Sequence, residues 1–109
     1  MVPVLVSREA AAATPLEQGR LSALMMRHGA MELRWYAPKG KDEQAPHDRD
    51  ELYVVTAGHG WFVRGQERVA FSPGDALFVA ANEVHRFEDF SPDLAVWVIF
   101  YGPVGGEAA

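Results

Sequence analysis

The chain has no cysteine. That excludes disulfides, a thiolate nucleophile and any thiolate-bound metal, and it suits a reducing compartment. It also has no run of basic residues. Ten Lys and Arg stand against fifteen Asp and Glu, a net charge of −5. Phosphate backbones are gripped by clustered Lys and Arg, so the composition argues against nucleic-acid binding. Apolar runs are short, and none approaches the ~20 residues of a membrane-spanning helix. The start, Met1-Val-Pro-Val-Leu-Val, lacks a basic segment followed by a long apolar core, so no signal peptide is expected and a cytoplasmic location follows. No repeat of solenoid period is present. No long segment has a 3.6-residue apolar period, which excludes a helical bundle.

What is present is alternation. With 109 residues, 49% of them hydrophobic, the chain can build one core, and a single domain over 1–109 is expected. Residues 1–19 should form an N-terminal strand and arm, and 102–109 a frayed, flexible tail. Val2–Val6 reads as a short strand. The four alanines after Ser7 favour helix, but Pro15 limits them, so a loop with at most a helical turn is expected there. Strands are expected at Arg20–Arg27, Ala30–Ala37, Leu52–Ala57, Trp61–Arg64, Arg68–Phe71, Ala76–Val79, Val84–Phe87 and Leu94–Tyr101. In Ala30–Ala37 the apolar set Met31, Leu33 and Trp35 should face inward. Pro38–Ala45 reads as a solvated polar loop, and His28 and His59 as exposed turn residues. About nine short strands with regular turns point to an all-β sandwich or barrel.

Two stretches carry chemistry. In the first, His47 and Glu51 stand four apart at the entrance to the strand Leu52–Ala57, and Gly58 ends that strand. In the second, a turn at Ala81-Asn82-Glu83 leads to His85. Imidazole and carboxylate brought together can bind a divalent ion. Glu51, Tyr53 and Val55 share one strand face, and Phe87 shares the face of His85. These positions would give an apolar, aromatic pocket with one phenol, of a kind suited to a small molecule. The same side chains could equally fill the interior of a small barrel.

The spacing resembles the cupin family. His47, three residues, Glu51, six residues and Gly58 follow its first motif, with Gly40 upstream. Gly74, five residues, Ala80-Ala81-Asn82, two residues, His85, three residues and Asp89 follow the second. Asn82 stands where the family has glycine; asparagine tolerates positive φ. Ala45 stands where the family has its first histidine, and Asp89 where it has asparagine. The resemblance implies a double-stranded β-helix, or jelly roll. It implies three metal ligands, His47, Glu51 and His85, for one divalent transition metal (Fe, Mn, Ni, Co or Zn). It also implies that Trp35, Tyr53, Val55 and Phe87 line a pocket, with Tyr53 the one candidate acid or hydrogen-bond donor. Dioxygenase, isomerase or cyclase chemistry on a small organic substrate would fit, as would a non-catalytic module that senses a small ligand. The last strand is apolar on both faces: Leu94, Val96, Val98 and Phe100 on one, Ala95, Trp97, Ile99 and Tyr101 on the other. The second face needs cover from the N-terminal arm, another sheet or a second copy, and a homodimer is expected.

Overall fold

The computed structural model describes residues 2–108. Its elements are α1 (Arg8–Ala13), β1 (Ala23–His28), β2 (Met31–Tyr36), β3 (Asp50–Ala57), β4 (Gly60–Arg64), β5 (Glu67–Phe71), β6 (Ala76–Val79), β7 (His85–Glu88) and β8 (Ala95–Tyr101). All strand pairs are antiparallel. One sheet has the order β1-β2-β8-β3-β6, and a smaller one the order β5-β4-β7. The two sheets enclose a core of alternating side chains, the jelly roll expected from the sequence.

The register of β8 explains which residues point inward. Val96, Val98 and Phe100 are buried, and their partners on β3 are Val55, Tyr53 and Glu51. Their partners on β2 are Tyr36, Arg34 and Glu32. Residues directly opposite share a sheet face. One inward row therefore reads Glu32, Phe100, Glu51, and the next reads Arg34, Val98, Tyr53. Opposite them, Phe62 of β4, Phe71 of β5 and Phe87 of β7 complete the core. Phe87 touches Phe62, Phe71 and Tyr53 at centroid distances of 4.9, 5.4 and 5.1 Å. Each fully buried large side chain contributes about 1.5–3 kcal/mol by leaving water.

Four expectations change. The first is Trp35, which does not face the interior. Strand β2 turns its polar set, Glu32, Arg34 and Tyr36, inward, and Trp35 pairs with Trp97 on the outer face at 4.8 Å. Hydrophobicity alone misassigned this strand, because its inner face borders charged groups and its outer face is covered. That cover is α1: Ala11 packs with Trp35 and Ala95. The second is Ser7–Ala13, where a real helix forms; the Ser7 side chain accepts the Ala10 N–H at 3.1 Å. The third is Val2–Val6, which is not a strand; it finds no partner edge, and Val4 and Leu5 are exposed. Among the described residues eight strands form instead of nine. The fourth is the tail over 102–108, which is tied down. The Gly105 N–H donates to the Asp48 carbonyl at 2.7 Å, and the Glu107 N–H to Asp50 Oδ2 at 2.8 Å.

Gly58 ends β3 at φ +91°, and a Cβ there would lie 2.6 Å from Leu94 Cα. Both the backbone conformation and the close approach require glycine.

Candidate metal centre

Strand β3 begins at Asp50, so Glu51 is its second residue rather than a residue before it. Alternation turns Glu51 inward, and its residue is 1% exposed. His85 opens β7 in the opposite sheet and is 3% exposed. His47 lies in the loop before β3, its ring packed edge-on against Phe100 at 4.9 Å. One donor atom from each of His47, Glu51 and His85 falls within 4.8 Å of the others. The structure thus brings together the three residues that the two sequence motifs single out.

Local hydrogen bonds fix their approach. The Asn82 N–H donates to the His47 carbonyl at 2.7 Å, and Asn82 adopts φ +67°. That turn sets the Glu83 carbonyl, which accepts from His85 Nδ1 at 2.8 Å. A carbonyl only accepts, so Nδ1 carries the proton and Nε2 faces the cluster. Fixing one ring nitrogen by a backbone carbonyl is the arrangement that orients metal-binding histidines.

Nε2 lies 3.0 Å from the Tyr53 hydroxyl and 2.8 Å from Glu51 Oε1. With the ring proton on Nδ1, Nε2 has none to give Glu51, and neither Glu51 oxygen accepts a hydrogen bond among the described residues. A buried carboxylate without donors is costly. A cation beside it removes that cost. The donor set of two imidazole nitrogens and one carboxylate suits a divalent transition metal, so these residues fit the ion that the spacing implies.

The two histidines differ in their electrostatics. Burial pushes His47 below its ordinary value, with Arg20 and His85 adding to the effect against Glu51, so the ring is neutral and available as a ligand. Burial also lowers His85, but contact with Glu51, the Glu83 carbonyl and the charges of Glu51 and Asp42 together raise it. Burial, then the charges of Glu51 and Asp42, hold the Tyr53 phenol well above its ordinary value. Tyr53 is therefore a hydrogen-bond donor and not a base.

Beside the cluster is a cavity of about 250 Å³, bordered by Tyr36, Gln44, Ala45, His47, Glu51 and Phe100 among others. Of the expected pocket residues, only Tyr53 reaches the site, through its hydroxyl. Val55 and Phe87 are packed core, 1% and 2% exposed, and Trp35 is outside. His28 and His59 are exposed, as expected.

The polar loop 38–45 holds what the sequence reading missed. Asp42 accepts from the Tyr36 hydroxyl, from the Gln44 N–H at 3.1 Å, from Gln44 Nε2 at 2.7 Å and from the Phe87 N–H at 2.8 Å. With its amide nitrogen on Asp42, Gln44 presents Oε1 to Tyr53, which donates to it at 2.8 Å. A chain of polar contacts runs from Tyr36 through Asp42, Gln44 and Tyr53 to His85. Nothing in a mixed polar loop distinguishes an inserted aspartate from a solvated one; the only cue is that Asp42 and Gln44 stand just before the ligand segment.

Two facing sheets of a jelly roll, with two histidines and a glutamate meeting between them, define a class before any relative is considered. Residues 33–101 match the cupin domain family. The chain belongs to that family. An uncharacterized protein of Streptomyces coelicolor is 37% identical over 62 residues, 57% of this chain, and this match spans only 59% of that relative's length. Among solved structures, a cupin superfamily protein from Desulfitobacterium hafniense is similar with a TM-score of 0.65 at 14% identity, covering 94% of this chain and 99% of that one. A cupin-2 domain protein from Shewanella frigidimarina also gives 0.65, at 11% identity over 88% of this chain and 92% of that one. Likeness at such identity carries the fold and leaves the reaction open.

Proposed function

We propose that the protein binds one divalent transition metal through His47, Glu51 and His85 and uses it to bind and act on a small organic molecule in the adjoining cavity. The observation that carries this reading is Glu51: both carboxylate oxygens are buried with no donor among the described residues, beside two imidazoles. A bound metal would supply Lewis acidity, polarising an oxygen of the ligand. The chain's own residues do the rest. The Glu83 carbonyl holds the His85 tautomer. Tyr53, fixed by Gln44, keeps its proton and offers a polar contact at the buried side of the cluster. Phe100 and Val98 exclude water from one wall of the cavity.

A second reading, a module that binds a small ligand without turning it over, draws on Ala45. Ala45 borders the same cavity and offers no donor where the family has histidine. Metal titration of wild type and His85→Ala tests the proposal. Wild type is expected to take up one equivalent of metal and His85→Ala to lose most of that affinity. Equal binding by the two proteins would show the assigned ligands to be wrong. Wild type that takes up no metal would favour the module.

A further inference from the structure

The cavity beside the metal cluster adjoins a second one of about 290 Å³, and the two share Arg20, Ser22, His47 and Phe100 as lining residues. The second cavity is lined by Arg20, Arg27, Arg34 and Arg49, against only Glu32 and Asp48 as acids. This concentration of positive charge belongs to a chain whose net charge is −5. Glu32 alone serves three of the arginines: Arg49 Nη2 at 2.7 Å, Arg34 Nε at 3.0 Å and Arg27 Nη2 at 3.6 Å. Arg20 has no ion-pair partner among the described residues. The Arg34 side chain is 7% exposed and that of Arg49 is 21% exposed. Arg20 and Arg27 are exposed and solvated, while the partly buried Arg34 and Arg49 share Glu32, so an anion entering here meets more positive than negative charge.

The register ties this surplus to the metal cluster. Glu32 and Glu51 flank Phe100 in one inward row. Two strand spacings, about 10 Å, separate the Glu32 and Glu51 backbone positions, with Arg27 opposite Glu32 one strand further out. We propose that the ligand is a small organic acid, with its carboxylate held by Arg20 and Arg27 at the outer end and a second oxygen directed toward His47 and Glu51. Guanidinium groups recognise a planar carboxylate through paired N–H donors. The two adjoining cavities have room for a small organic molecule. Arg34 and Arg49 already spend donors on Glu32 and on the Ser22 and Ala30 carbonyls. They act mainly by their charge, while Arg20, without an ion-pair partner among the described residues, and Arg27, held only by a 3.6 Å contact with Glu32, have donors left for the ligand. This assignment of a substrate class rests on the metal reading for its inner end only.

Calorimetric titration of zinc-loaded protein with succinate, its neutral analogue succinamide and inorganic phosphate tests the proposal. Succinate is expected to bind, with succinamide and phosphate each at least about tenfold weaker. Arg20→Gln and Arg27→Gln, both at exposed positions, are expected to weaken succinate by a similar factor, with zinc affinity unchanged in Arg27→Gln, whose side chain is not in the metal-side cavity. The same titration on His85→Ala separates the two readings: zinc affinity falls if the metal ligands are right, whereas succinate is still preferred over succinamide if the arginine end is right. Equal binding of succinate and succinamide, insensitivity to both arginine substitutions, or no binding of succinate at millimolar concentration would overturn the organic-acid assignment. Tighter binding of phosphate than of succinate would overturn it in favour of a phosphorylated ligand.

Discussion

A glutamate that is 1% exposed, has no hydrogen-bond donor among the described residues and lies 2.8 Å from an imidazole nitrogen is more than a packing residue. At this scale the site is set by what each side chain lacks. Glu51 lacks donors, His85 has one nitrogen committed to a carbonyl, and Ala45 has no ligand atom at all. Ala45 borders the cavity together with His47 and Glu51, so a histidine there has room to enter. Ala45→His is expected to tighten metal binding by about tenfold or more, by adding a fourth protein donor. Competition against a chromophoric chelator would measure it; unchanged or weaker affinity would mean that position 45 does not aim at the ion. The ligand residues were legible in the sequence because motif spacing survives even where individual motif residues are replaced. Asp42 and Gln44 were not, because a hydrogen bond between a loop and a distant strand leaves no periodic trace.

Among the elements, β3 was the easiest to read. Its alternation puts Glu51, Tyr53 and Val55 on one face, and the β8 register keeps them there. Strand β2 misled because both of its faces are half suited to burial. Its inner side carries Glu32 and Arg34 to a charged cavity, while α1 covers its outer Trp35. The first residue of β3 has a mechanical role that its polar character hides. The carboxylate of Asp50 is 4% exposed and accepts from the Ala81 N–H at 2.9 Å and the Glu107 N–H at 2.8 Å. One side chain thus clamps the turn before β7 and the chain after β8. Asp50→Ala would leave both donors unpaired, and a loss of about 2–4 kcal/mol is expected. Urea denaturation would show this as a lower midpoint, and an unchanged midpoint would mean that water replaces the clamp freely. The same clamp explains why a glycine-rich tail is held against the body, an outcome that tail composition cannot reveal.

For the whole molecule, the apolar outer face of β8 needs less outside help than its sequence implies, because Ala95 is already covered by α1. Apolar surface remains at Val4 and Leu5 before α1, at Leu21, and at Leu24 on β1, an edge strand. An exposed edge with apolar residues invites a second copy. A homodimer is the expected state in sedimentation velocity at micromolar concentration; a single species of 12.0 kDa would contradict it. No helix among the described residues is long and apolar enough to cross a membrane. The fold as a whole places a buried, unsatisfied carboxylate between two histidines, and folding and metal binding should therefore be coupled. Thermal unfolding of wild type and Glu51→Gln, each with and without one divalent metal such as Zn²⁺ or Ni²⁺, reads this coupling directly. The account predicts that metal raises the midpoint of wild type by several degrees and leaves Glu51→Gln unmoved, while the metal-free variant is at least as stable as metal-free wild type. A metal-induced shift that is the same size in both proteins would contradict it.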